Sequence, residues 1–223
     1  MTQSGPGNDM VGPLTGLRVL ELTGEHAQFC GKLMADLGAD VIKIEPPGGQ
    51  ETRNVGPFLN DEEHPERSLY FWHYNTSKRG VTLDIAKPEG KEVFRKLSVT
   101  AGLILESFPA GYMPGLGLGY EDLSADNSGL IMCSVTPFGQ DGPWRDYKTS
   151  DLLHLAAGGQ MASSGYDVED VPDAPPIAPG GGNAWHIASH YSYIAIMGAL
   201  YHRDFTGEGQ YIDVSAHEAC SLT

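Results

Sequence analysis

Thr15-Gly16-Leu17-Arg18-Val19-Leu20-Glu21-Leu22-Thr23-Gly24, with its continuation to Glu45, is the stretch that decides the fold. The first eight residues read as a short strand closed by Thr23-Gly24. Ala27 to Leu37 then carries Phe29, Cys30, Leu33, Met34 and Leu37 at helical spacing, and Gly38 stops that helix at a C′-like position. Asp40-Val41-Ile42-Lys43-Ile44-Glu45 is a second strand, ended by Pro46-Pro47-Gly48-Gly49. A strand, a helix of about three turns and a strand form a right-handed βαβ unit. Such a unit offers the turn after its first strand, here Thr23 to Ala27, to a ligand at the carboxyl edge of the sheet.

The rest of the chain continues the alternation. An aromatic run from Ser68 to Tyr74 predicts a short helix, and Val81 to Asp84 a strand. Pro88 sits at the first position of a helix reaching Leu97, with Glu89 where the macrodipole favours a carboxylate. Leu103–Glu106, Leu130–Val135 and Tyr211–Val214 read as further strands. A glycine-rich loop (Gly111, Gly115, Gly117, Gly119) leads to a short helix near Tyr120 to Leu123. Asp151–Met161 and His186–Tyr201 read as helices, and another begins after Ser215. Strands that are almost continuously apolar predict an α/β fold, a Rossmann-like, mostly parallel sheet with helices on both faces. Residues 1–12 read as a flexible tail and 13–223 as one domain. The Pro/Gly-rich stretches 46–67 and 163–182 exceed what a connection needs, which marks them as functional or mobile.

A net charge of −15 argues against nucleic acid and anionic membranes as partners. No apolar run approaches the ~20 residues that span a bilayer, and the first ten residues lack the basic and apolar regions of a secretory signal. Three widely spaced cysteines in apolar contexts (Cys30, Cys133, Cys220) indicate buried, reduced thiols in a cytoplasmic protein. No metal is expected: there is no CxxC pair, and His186 and His190, although four apart, have no carboxylate cluster to complete a site. They read as packing or hydrogen-bonding groups. Dinucleotide, P-loop and serine-hydrolase signatures are absent. Gly180-Gly181-Gly182 either lets backbone N–H groups approach an anion or acyl oxygen, or is a hinge. Lys78-Arg79 and Lys148 read as phosphate contacts or as ordinary surface charge.

Taken together, the sequence resembles the class III CoA-transferase family, the group of formyl-CoA and crotonobetainyl-CoA transferases and α-methylacyl-CoA racemases. The matching runs are PLTGLRVLEL ending at Leu22, LMADLGADVIKIEPPGG from Leu33 and SLYFWHYNTSKRGVTLD from Ser68. KPEGKEVFRKL from Lys87, LILESFPAGYMPGLGLGYEDL from Leu103, SVTPFGQDGPWRD from Ser134 and GALYHRDFTGEGQYIDVSAHEA from Gly198 continue it. The resemblance implies a CoA-binding domain, with acyl-CoA as substrate along the carboxyl ends of the strands. It implies CoA contacts at Ala27, at Leu83 and Asp84, at Ser107 and Phe108, and at Lys148.

The departures from the family are specific. Its transferase nucleophile, an aspartate a few residues into the long helix, falls at Trp185 when counted back without gaps from Arg203. No carboxylate lies between Asp173 and Asp204. The racemases' catalytic histidine falls at Ser150, and arginines expected in the glycine-rich loop and after Glu45 are Gly115 and Pro46. Family members are longer, with a small second domain and two chains interlocked as rings. The expectation is therefore a CoA-transferase-like subunit or fragment that moves CoA between an acyl-CoA and a carboxylic acid acceptor within an interlocked homo- or hetero-oligomer. Asp151 and His186 are expected as acid/base or orienting groups. The alternatives are a non-catalytic CoA-binding subunit, or an acyl-CoA lyase or isomerase on the same fold.

Overall fold

The structure, a computed structural model, describes residues 12–166 and 170–223. Most of the expected tail, residues 1–11, lies outside the described residues, as do 167–169 of the second long loop. Six strands form one sheet in the order β3-β2-β1-β4-β5-β6, with every neighbouring pair parallel. They are β1 (Arg18–Leu22), β2 (Asp40–Glu45), β3 (Arg79–Thr82), β4 (Leu103–Glu106), β5 (Ile131–Thr136) and β6 (Tyr211–Ser215). The order reverses between β1 and β4, so the carboxyl ends of these two strands open a crevice.

The period-two alternation of each strand divides the core in two. Val19, Leu103, Leu105, Ile131, Cys133 and Val135 pack on one face, against α1 (Gln28–Asp36) and α8 (Asn183–Thr206). Leu20, Leu22, Ile104 and Met132 pack on the other, with Phe94 of α3 (Pro88–Ser98), Met113 of α4 (Tyr112–Gly115) and Leu123 of α5 (Tyr120–Ser124). All three cysteines are buried and free. No helix among the described residues is long and apolar enough to cross a membrane.

Several boundaries differ from the sequence reading: the strand expected over Val81–Asp84 runs from Arg79 to Thr82 as β3, and Tyr112–Gly115 of the glycine-rich loop is helical. The aromatic run forms α2 (Leu69–Tyr74), with the Ser68 hydroxyl capping Phe71 N. The helix expected over Asp151–Met161 is broken into α6 (Asp151–Ala157) and α7 (Gln160–Ser163), because Gly158 ends the first and Gly159 takes φ +97°. α8 begins three residues before His186 and runs past Tyr201 to Thr206. The acceptor at its N-terminus comes from another helix, so that end has little local signal, whereas Gly207 at φ +77° marks its C-terminal end. The last helix, α9, is Ala216–Ser221.

The stretch 46–67 is pinned. Arg53, in a short 3₁₀ turn (Glu51–Asn54), grips Glu45 through Nε and Nη2 at 2.6 and 2.7 Å and lies 3.8 Å over the Phe71 ring.

Candidate functional site

Two cavities meet at the crevice between β1 and β4. The larger, about 500 Å³, is lined by Gly24, Glu25, His26, Glu51, Val55 and Ser107 among others. The smaller, about 110 Å³, lies against Leu83, Asp84, Ala86 and Tyr112. Leu22, Gln50 and Phe108 line both, so they form one cleft along the strand ends.

Its walls are set by short-range chemistry. Gly24 N donates to Ser107 Oγ at 2.9 Å, tying the turn after β1 to the turn after β4. The buried Glu106 carboxylate accepts from Phe108 N at 2.7 Å and so aims the aromatic ring into the cleft. Burial pushes Glu106 up to about 7, against the pull of the Ser134 hydroxyl and the Phe108 N–H. The Glu45 carboxylate, fixed by Arg53, also accepts from Gln50 N at 3.0 Å, while the Gln50 amide donates to Thr23 O at 3.1 Å.

Beneath the first turn lies a buried charge cluster. Glu21, fully buried, meets Lys43 at 3.0 Å and Lys78 at 2.8 Å. Burial alone would push the Glu21 carboxyl up, but the two ammonium groups outweigh it and hold it below the usual range. Burial in turn brings Lys78 down to about 8. A methyl group at Gly31 would stand 2.0 Å from Glu21 Oε2, so only glycine lets α1 pass over the pair. These contacts correct the reading of Lys78-Arg79 as phosphate ligands. Lys78 is spent on Glu21, and Arg79 holds Asp40 through Nε and Nη2 at 2.8 and 2.7 Å.

The N-terminus of α8 packs behind His26, a wall residue of the larger cavity. Gly182, at φ +71°, starts the helix, and Asp151 Oδ1 reaches from α6 to accept from Ala184 N at 2.8 Å. The next residue, Trp185, is 5% exposed and stacks on His26 with ring centroids 4.2 Å apart. The buried His154 lies 5.2 Å away on the other side. Burial lowers both imidazoles, His154 to about 4, so both are neutral at pH 7. His186, one residue on, bonds Tyr74 Oη through Nε2 at 2.7 Å and packs on Phe29, while His190 donates to the His186 carbonyl. Ser150 caps α6, its hydroxyl accepting from Leu153 N.

The expected residues are thus only partly gathered. Leu83, Asp84, Ser107 and Phe108 line the cleft. Ala27 is fully buried beneath it, and its neighbours Gly24, Glu25 and His26 form the wall instead. Lys148 is exposed in the loop before α6 and lines neither cavity. Asp151 and His186 stand on either side of Trp185 rather than in the cleft. Gln50, Glu51, Thr52 and Val55 were missed, because a loop held by the Glu45–Arg53 pair brings them in and no local pattern marks them. Among the described residues, neither cavity is lined by Lys or Arg. Lys87, 3.6 Å from Asp84, stands beside the small cavity.

The sequence model described as CoA-transferase family III matches residues 14–223. Over 202 residues the chain is 42% identical to the BbsE subunit of succinyl-CoA:(R)-benzylsuccinate CoA-transferase from Thauera aromatica, covering 91% of this chain and 48% of that one. It is 39% identical to succinate–glutarate CoA-transferase of Agrobacterium fabrum, over 91% of this chain and 50% of the relative. The chain therefore spans about half the length of these curated relatives. The crystal structure of a CAIB/BAIF family protein from Brucella suis superposes with a TM-score of 0.86 at 38% identity, covering 95% of this chain and 55% of that one.

Proposed function

The chain belongs to CoA-transferase family III, and from that premise we propose that it is the CoA-holding part of an enzyme that moves CoA between an acyl-CoA thioester and a carboxylic acid. One observation carries this reading: the continuous cleft at the β1/β4 switch point, walled by the two turns that Gly24 and Ser107 tie together. In it the adenine end lies against Leu83, Asp84 and Tyr112, and the pantetheine passes Ser107 and Phe108. The thioester comes to the turn before Ala27, beside His26 and Trp185. Lys148 and Lys87 serve the phosphates from outside the cavities.

Transfer needs a carboxylate. It attacks the thioester carbonyl, expels CoA thiolate and becomes a mixed anhydride. The thiolate then attacks the enzyme's own acyl carbon, releasing the first acid and leaving an enzyme thioester. An acceptor carboxylate takes CoA by the same two steps in reverse. Trp185 offers no such group, and residues 174–203 contain no carboxylate. In this reading a partner subunit supplies it, and Asp151 and His186 orient the end of the cleft. The Thauera aromatica relative is itself named as a subunit.

The packing of Trp185 between His26 and His154 favours one second reading, a subunit that binds CoA without taking part in transfer. Native mass of the complex purified from its own host, followed by acyl-CoA and a hydroxylamine quench, separates the two. A hydroxamate on a partner's carboxylate supports transfer across subunits. CoA bound with no modified carboxylate supports the binding subunit. A hydroxamate on this chain overturns both.

A further inference from the structure

A third cavity, of about 440 Å³, lies beside α2 and takes Glu25 as a common wall with the large cavity of the cleft. Its other walls include Pro57, Leu69, Tyr70, Tyr74 and Gly182. It therefore begins where the cleft reaches the start of α8, and its volume is ample for a small organic group.

Both tyrosine hydroxyls of this cavity are already engaged, while His73 and the backbone of Gly181 and Gly182 also line it. The Tyr70 hydroxyl donates to Glu25 Oε1 at 3.3 Å, and the Tyr74 hydroxyl is bonded to His186 Nε2 at 2.7 Å. Burial, and then the Glu25 carboxylate beside it, push the Tyr70 phenol up, so it keeps its proton. Most of what the cavity offers a ligand is apolar: Leu69, Pro57 and the two tyrosine rings, which pack on each other with centroids 4.7 Å apart. No Lys or Arg lines the cavity, and its carboxylate is Glu25.

We infer that this cavity seats the acyl group and selects an uncharged, apolar acyl chain, preferably one carrying an aromatic ring, over a chain that ends in a carboxylate. An apolar group gains by leaving water against Leu69 and the tyrosine rings. A carboxylate tail gives up its hydration, finds no Lys or Arg among the described residues of the wall and meets Glu25 at close range. The inference rests on the placement of CoA in the adjoining cleft.

Titration calorimetry of the full chain with CoA, phenylacetyl-CoA and succinyl-CoA tests it. Phenylacetyl-CoA is expected to bind at least about tenfold tighter than succinyl-CoA, which binds no better than CoA itself. Leu69→Asp, at the exposed first position of α2 where a carboxylate suits the helix, should erase the advantage of phenylacetyl-CoA and leave CoA affinity unchanged. Glu25→Gln should tighten succinyl-CoA. Succinyl-CoA binding as tightly as phenylacetyl-CoA, with CoA bound normally, overturns the acyl-site inference alone. Failure of all three to bind overturns the CoA placement as well.

Discussion

Trp185 packs on His26 at 4.2 Å between ring centroids, bringing an indole from the first turn of α8 against the turn that follows β1. The indole, 5% exposed, belongs to the core that packs α1 and α8 on one face of the sheet. Trp185→Ala should lower stability by about 3–5 kcal/mol, the usual cost of emptying a large aromatic site, measured by urea denaturation. Acyl-CoA followed by hydroxylamine should leave peptide 174–203 unmodified.

Glu21 is the most exacting buried charge, because two lysines converge on it. Glu21→Gln would leave two ammonium groups facing a neutral amide in a dry site. The expected loss is about 3–5 kcal/mol of folding stability, read from the denaturant midpoint. Lys78→Met should be nearly as costly, whereas Arg79→Met, which breaks an exposed pair with Asp40, should cost no more than about 1 kcal/mol.

Glu106 should make stability depend on pH. Its ordinary value is 4.5 and burial raises it to about 7, so between those limits the folded state binds more protons than the unfolded one. Stability contributed by this group therefore falls as pH rises through the window and levels off above it. Glu106→Gln removes the titration. Relative to the parent, the variant should be more stable at pH 8 than at pH 5, compared by denaturant melts at the two pH values.

Asp151 acts on α8 from outside that helix. Asp151→Ala removes the acceptor at Ala184 N, and Gly182 has no side chain to replace it. Helix caps of this kind are worth about 1 kcal/mol. Thermal denaturation should show that loss, and Asp151→Asn should recover most of it.

The sheet was legible because each strand carries its own apolar alternation and each crossover helix its own spacing. Val19 and Leu20 already point to opposite faces in the sequence. The Ser107–Phe108 turn was legible for the same reason, standing at a strand end. The other wall of the cleft was not. Gln50 and Val55 reach it through an ion pair between Glu45 and Arg53, and an arginine eight residues beyond a strand end has no periodic signature. Lys78 looked available because sequence does not reveal that Glu21, 57 residues earlier, consumes it. The start of α8 was hidden by a cap donated from Asp151, 33 residues away.

Titration calorimetry of CoA into the purified chain tests most directly whether CoA binds at the β1/β4 crevice. Saturable binding is predicted, weakened at least about tenfold by Val55→Asp or Ala86→Asp, which place a carboxylate at exposed positions in the cleft wall. Leu152→Asp, on the exposed side of α6, should leave it unchanged. Absence of saturable binding, or binding indifferent to both cleft substitutions, would contradict a CoA site at this crevice.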